Sequence, residues 1–447
     1  MGLFKQLLKF LQRPLRPLRL NNPLCTTNQS SPPIANPKSK IYNPKSNMLS
    51  VPEAIRIVIE QTRQLKPERV ALSSALGRVL AEDVIADSDL PPFDRAQMDG
   101  FALRSADTES APVRLRVVGE SAAGRGWHVL MRAGEAVRIM TGAPVPTGAD
   151  SVQKVEVTSE ADGFVEVYER TQVGQFIVSR ASEVRAGETV LRKGETINAP
   201  KMAALASFGY SEISVGAQPR VAVLATGSEL VRVDQKPCAD EIRDSNSFSI
   251  GAYAQLAGAQ VERLPLAGDD PELLQREIAE AATRFDALIL SGGVSMGVYD
   301  FTKAALRALD AEIFFERVSL RPGKPTVFAR LCDALVFGLP GNPVSVSVTF
   351  NLFARTALRV MQCDAEPALV EERAVLARSV KGSVERASYL PATLLTSEDG
   401  RLLAQPLKWG GSSDFVSFTR ATALIIVPEG VRSVEANEVV KIIRLPS

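Results

Sequence analysis

Histidine is nearly missing from this chain: among 447 residues only His128 occurs, beside Trp127 in a loop that contains Gly and Arg. A single imidazole excludes polyhistidine metal sites and argues against a Ser-His-Asp relay, so His128 reads as a solvated loop residue. Cysteine is scarce as well. Cys25, Cys238, Cys332 and Cys363 lie far apart and form no C-x-x-C pair, which argues against a zinc site or a disulfide framework. The expected compartment is therefore the reducing cytoplasm. No apolar run is long enough to cross a bilayer, so a membrane is not an expected partner. The formal net charge of +1 hides an uneven distribution. Residues 1–47 carry eight Lys or Arg and no acid, which leaves 44 basic against 51 acidic groups, a net −7, on the remainder. A mildly acidic body argues against nucleic acid as a partner. What remains for chemistry is carboxylates, hydroxyls, Lys, Arg and backbone amides, an inventory that suits a hard cation such as Mg²⁺ and a phosphate-bearing substrate.

The length allows three or four units, and 45% hydrophobic with 23% charged residues is ordinary for a globular chain. Residues 1–47 join a short basic amphipathic segment to a Pro-, Asn- and Ser-rich stretch, and are expected to form a disordered basic extension. Targeting or a membrane-surface helix is the functional alternative, and translation from Met48 the plainer one. Ser50-Val-Pro-Glu53 is a capping box that predicts a helix over 54–64. Residues 83–187 alternate short strand-like pieces (113–118, 136–139, 151–157 and 164–168) with Gly and Pro, and read as a β-rich domain. Residues 49–82 and 188–216 are expected to pack together as one discontinuous domain of helix and strand. An α/β domain is expected over 217–366, and a small C-terminal β-barrel or sandwich over 367–447, from alternating segments at 394–396, 402–406, 424–427 and 439–443.

Within the α/β domain, the apolar run Leu288, Ile289, Leu290 breaks at once into Ser291-Gly292-Gly293-Val294-Ser295 and reaches Asp300. Adjacent glycines let backbone N–H groups approach an anion, although a lone Gly-Gly is more often a plain turn. Two further strands end the same way: 221–225 into Thr226-Gly227-Ser228-Glu229, and 334–337 into Gly338-Leu339-Pro340-Gly341-Asn342-Pro343-Val344-Ser345. Asp270 as N-cap with Pro271 at the first helical position predicts a helix between the first two. Strands alternating with helices imply a mostly parallel open sheet, whose loops gather at its carboxyl edge.

Two polar segments of the β-rich domain, Pro91-Pro-Phe-Asp-Arg-Ala-Gln-Met-Asp-Gly-Phe-Ala-Leu103 and Ile139-Met-Thr-Gly-Ala-Pro-Val-Pro-Thr-Gly-Ala-Asp150, could on their own be turn formers. Taken with Thr226-Gly-Ser-Glu-Leu230, Ser291-Gly-Gly-Val-Ser295 and Arg321-Pro-Gly-Lys-Pro325, they appear in the order seen in the molybdopterin molybdenumtransferases, the family of the gephyrin E domain. From about Leu49 onward the chain resembles that family. The resemblance implies an enzyme that inserts molybdenum from molybdate into adenylylated molybdopterin and releases AMP. It also implies a homodimer using Mg²⁺, with the upstream molybdopterin adenylyltransferase as a further partner. The alternative is a non-catalytic carrier of molybdopterin or its nucleotide, or a scaffold.

By the same resemblance, Asp99, Thr141, Glu183, Glu229, Asp300, Arg317, Arg321 and Lys324 are expected to be catalytic. Glu229, Asp269 and Asp300 are the expected metal ligands. Cofactor binding is expected at Gly227, Ser228, Asp244, Ser245, Asn246, Ser291, Gly292, Gly293, Ser295, Pro340, Gly341, Asn342, Ser345 and Ser412. Three departures stand out. Ala181-Ser-Glu183 replaces the family's Gly-Glu-Asp, so a carboxylate persists on a longer stem. Arg317 and Arg321 stand where some members have lysines, and a planar fork is not equivalent to a point charge. Arg386-Ala-Ser-Tyr-Leu-Pro391 lacks the second arginine of the family's Arg-x-x-Phe-x-Arg.

Overall fold

The apolar runs that open the three glycine loops form adjacent parallel strands: Arg220–Ala225, Ala287–Ser291 and Ala334–Leu339. A computed structural model describes this arrangement for residues 48–268, 270–293 and 301–446. The extension expected over 1–47, and the expected site residues Asp269, Ser295 and Asp300, lie outside the described residues. Gln260–Arg263 adds a parallel strand on one side, while Val327–Leu331 and Glu312–Phe315 add an antiparallel arm on the other. The sheet is thus parallel at its centre and antiparallel at one edge, because Val327–Leu331 runs back through a tight hairpin into Ala334–Leu339 and needs no crossover helix.

Side chains alternate across the central strands, and both faces are covered. Val221, Val223, Ile289 and Phe337 pack beneath the helix Asn246–Leu256 and the helical run from Pro343 to Met361, whereas Ala222, Leu224, Leu288 and Leu290 pack under Pro271–Arg284 and Phe301–Ala308. That is the pattern of a buried parallel sheet. The first face carries a phenylalanine cluster, with Phe328 and Phe337 stacked at 4.8 Å and Phe315 meeting Phe353 edge-on at 5.9 Å. Asp270 caps Pro271–Arg284 by accepting from Glu272 N and Leu273 N, in agreement with its sequence signal.

The helix predicted by the capping box runs Val51–Gln61, three residues earlier than the expected 54–64, because the Ser50–Glu53 box sets its first turn. Its Val51, Ala54 and Val58 enter the same core as Leu358 and Met361. The chain then builds one discontinuous unit. Glu68–Ala71 pairs with Glu212–Val215, and Val84–Ile85 with Thr189–Leu191, around Leu80, Ile197 and Leu205. Between those two strands lies the β-rich unit, a six-stranded sheet with separate cores on its two faces. Gly100–Leu103 is a fully buried strand in it, although the segment that contains it could on its own be a turn former. The expected strand at 151–157 stops at Lys154, and Val155–Val157 is a 3₁₀ turn.

At the C-terminus five strands close a small barrel: Ala387–Thr396 pairs with both Leu402–Pro406 and Ala423–Val427, and Glu371–Leu376 and Val439–Arg444 complete the ring. Closure leaves no open edge. The barrel is fused to the α/β domain by the strand pair Leu320–Arg321 with Ala387–Ser388, and by Tyr389, Leu424 and Ile426 in the phenylalanine-lined core.

Candidate active site

The three loops leave the sheet at one level. Ala225, Ser291 and Leu339 are register partners; Thr226 N donates to Ser291 O at 2.9 Å, and Gly292 N to Leu339 O at 3.3 Å. At Gly292, φ is +95° and a Cβ would stand 2.3 Å from the Thr226 carbonyl oxygen, so only glycine brings these loops together. Asn246 ties them: its Nδ2 donates to Ser291 Oγ at 2.9 Å and to Gly341 O at 2.7 Å, and its Oδ1 is buried without a partner. The carboxylate of Glu229 folds back over Gly227, where a Cβ would lie 2.5 Å from Oε2. Asn342 Nδ2 donates to Ser412 Oγ at 2.9 Å, which joins the rim to the barrel. Gly227, Ser291, Gly292, Gly341 and Asn342 of the three loops, with Asn246 and Ser412, therefore form one contiguous edge among the described residues.

Other expected residues take different places. Asp244 is 5% exposed, and its carboxylate caps the helix Asn246–Leu256 by accepting from Ser247 N and Ser247 Oγ. It shapes the loop from inside, while Ser245 beside it is exposed. The cluster of Arg317, Arg321 and Lys324 divides. Arg321 and Lys324 line a cleft of about 740 Å³ between the α/β domain and the barrel, which Pro340, Asn342, Ser345 and Ser412 also line. Arg317 is exposed and is not part of that lining. The barrel adds Lys381, Arg386 and Trp409, of which the sequence signalled only Arg386, through its broken motif. No carboxylate lines this cleft among the described residues, so it concentrates positive potential.

In the β-rich unit Asp99 and Thr141 meet, 42 positions apart in sequence. Asp99 Oδ1 accepts from Thr141 N at 2.6 Å and from Thr141 Oγ1 at 2.7 Å. The backbone donor first and the hydroxyl second hold the Asp99 carboxyl below the usual carboxylate range. Both residues are exposed, as are Phe93 and Met98 on the same loop. The loop is clamped from residues 177–183: Ile177–Val178 pairs with Arg95–Ala96, Arg180 N donates to Asp94 Oδ1 at 2.7 Å, and Glu183 forms an ion pair with Arg95 at 3.4 Å. The longer Glu183 stem thus reaches a cation of the aspartate-bearing loop. Residues 91–187 contribute nothing to the cationic cleft.

Ala181, where the family pattern has glycine, sits at φ +58°. Left-handed backbone strains a Cβ, so Ala181→Gly is expected to stabilise the β-rich unit by about 0.5–1 kcal/mol. Urea unfolding of the two proteins measures this, and a loss of stability would mean that Ala181 is not strained.

Comparison with known proteins agrees with this anatomy. Residues 49–209 match the MoeA N-terminal region (domain I and II), residues 222–360 a probable molybdopterin binding domain, and residues 373–445 the MoeA C-terminal region (domain IV). The molybdopterin molybdenumtransferase of Bacillus subtilis (strain 168) is 36% identical over 407 residues, covering 89% of this chain and 94% of that protein. That of Staphylococcus aureus (strain COL) is 33% identical, covering 89% and 96%. A molybdopterin biosynthesis moeA protein from Pyrococcus horikoshii OT3 shares the structure at a TM-score of 0.78 and 27% identity, over 89% of this chain and all of that one. With three region models and full-length relatives in agreement, the chain belongs to the molybdopterin molybdenumtransferases, enzymes of molybdenum cofactor biosynthesis.

Proposed function

We propose that the chain inserts molybdenum, delivered as molybdate, into adenylylated molybdopterin, with release of AMP. The observation that carries this reading is the cleft lined by cations without a carboxylate. Molybdate and phosphate groups are oxyanions, and guanidinium and ammonium groups bind them by charge-assisted hydrogen bonds. When the phosphoanhydride breaks, negative charge grows on the departing AMP, and cations already in place stabilise it. The glycine-loop edge next to the cleft, with Asn246 and Ser412, supplies amide and hydroxyl contacts for the pterin and its phosphates.

Mg²⁺ is the metal we assign to the reaction. Glu229, at the sheet edge, together with Asp269 and Asp300 would offer hard oxygen donors of the kind Mg²⁺ takes, and the ion would supply charge neutralisation at the pyrophosphate. A homodimer is part of the same proposal. Asp99 and Thr141 are exposed in a unit that does not contribute to the cleft, and Phe93 and Met98 beside them are apolar surface for a second copy to cover. We place the enzyme in the cytoplasm and downstream of a molybdopterin adenylyltransferase, the class of reaction that makes its substrate.

The test is to mix purified protein with adenylylated molybdopterin, Mg²⁺ and molybdate and to follow AMP. Molybdate-dependent release is the expected result. Tight binding without release would replace this reading with that of a carrier, which the Arg95–Glu183 pairing would then help to explain.

A further inference from the structure

We propose that Lys381 is an oxyanion-binding residue of the cationic cleft, holding from the barrel side the same tetrahedral dianion that Arg321 and Lys324 hold from the α/β side. This rests on the reading of the cleft as the anionic-substrate site. Four cations line the cleft, Arg321, Lys324, Lys381 and Arg386, and among the described residues none of them pairs with a carboxylate. Many arginines elsewhere on the protein have such a partner: Arg95, Arg180, Arg284, Arg330 and Arg359 each meet a carboxylate at 3.4 Å or less. Unpaired like charges gathered in one cleft repel one another, and an anion bound among them removes that cost.

Lys381 is placed by the backbone and not by a motif. It lies in the two-residue strand Val380–Lys381, opposite Ser433, and its successor Gly382 donates N–H to Arg432 O at 2.9 Å. A Cβ on Gly382 would stand 2.3 Å from Val431 O and 2.6 Å from Val427 Cγ1, so this strand sits against the barrel where no larger residue fits. Across the cleft, Arg321 Nη1 reaches the Gly382 carbonyl at 3.4 Å, which brings its guanidinium to the residue next to Lys381. The two walls therefore meet at Arg321 and Gly382, next to Lys381 in the chain. Pro391, on the same cleft wall, occupies the place where the family pattern has a second arginine, and Lys381 returns a positive charge to that wall.

The ligand class is a tetrahedral oxyanion of two negative charges, met either as free molybdate or as a phosphate of the pterin or nucleotide. Calorimetric titration of the full chain with molybdate, inorganic phosphate and AMP separately distinguishes these sources. Lys381→Met is expected to weaken at least one of them about tenfold, Lys381→Arg to stay within about threefold of the parent, and both to keep the parent's thermal midpoint. Arg321→Met serves as the reference for the cleft. If Arg321→Met weakens binding and Lys381→Met does not, Lys381 has no part in the site and the proposal is overturned. If neither substitution weakens any of the three anions, the cleft is not the anion site, and the functional reading on which this proposal rests falls with it.

Discussion

Replacing Asp99 by Asn is expected to lower molybdate-dependent AMP release about a hundredfold or more while leaving the fold unchanged. The substitution is a clean one. Asp99 Oδ1 receives both Thr141 donors, and an amide oxygen can accept the same two hydrogen bonds. What is lost is the negative charge. Those donors also fix the acid side of the pH profile. Because the folded pKa lies below the unfolded one, the ionised form and any stability it brings are in place above the ordinary carboxylate range. They are lost only as pH falls through the lower folded value. Thr141→Val removes the hydroxyl donor and keeps the backbone donor, so its acid limb should move upward toward the ordinary range. Full activity in Asp99→Asn, with an unaltered pH profile, would remove Asp99 from the mechanism.

The largest expected loss of stability comes from Arg359→Met, at about 3 kcal/mol or more, because it leaves a buried carboxylate without its cation. Arg359 and Asp364 side chains are 9% and 11% exposed, with Nε and Oδ2 2.7 Å apart. Arg359 Nη2 also donates to Thr196 Oγ1 at 2.5 Å, and so ties the last helix of the α/β domain to the discontinuous unit. The double replacement R359M/D364L should recover much of the loss, since it removes both charges together. Urea unfolding of the parent and the two variants measures the effect. A loss below about 1 kcal/mol in Arg359→Met would show that the pair contributes little, as exposed pairs do.

Much of this architecture was legible from residue pattern because local and long-range preferences agree. The strands ending at Ala225, Ser291 and Leu339 are short apolar runs closed by glycine turns, and a run buried on both faces needs no alternation to be recognised. The helix at Pro271 carries its own start signal in Asp270. The antiparallel arm Val327–Leu331 was not legible as such, since direction within a sheet is set by connection and not by composition. Gly100–Leu103 carries no strand signal of its own because glycine and nearby prolines mark turns, yet the strand is completed by partners at Gln153 and Arg138, far along the chain.

The site divides in the same way. Asp99 and Thr141 announced themselves through motifs, and the structure joins them by hydrogen bonds. Asp244 bears an ionisable group in a promising loop, but whether such a group faces a ligand or caps a helix depends on burial, which spacing does not encode. Lys381 gave no signal at all. Its place in the cleft follows from barrel closure and from the tight seat of Gly382, both products of tertiary packing.

The helix Val51–Gln61 has a consequence for biosynthesis. Its buried face completes a core whose other members include Leu358 and Met361, and Leu65 N donates to Met361 O at 2.9 Å. During translation that helix must wait for roughly 300 further residues, some tens of seconds at ordinary ribosome speeds. Over that interval Val51, Ala54 and Val58 lack their native neighbours, while the β-rich unit, whose described core residues all fall within 96–177, has already left the ribosome. The described part of the nascent chain therefore matures from its middle outward, and the helix Val51–Gln61 is among the last pieces to find a home.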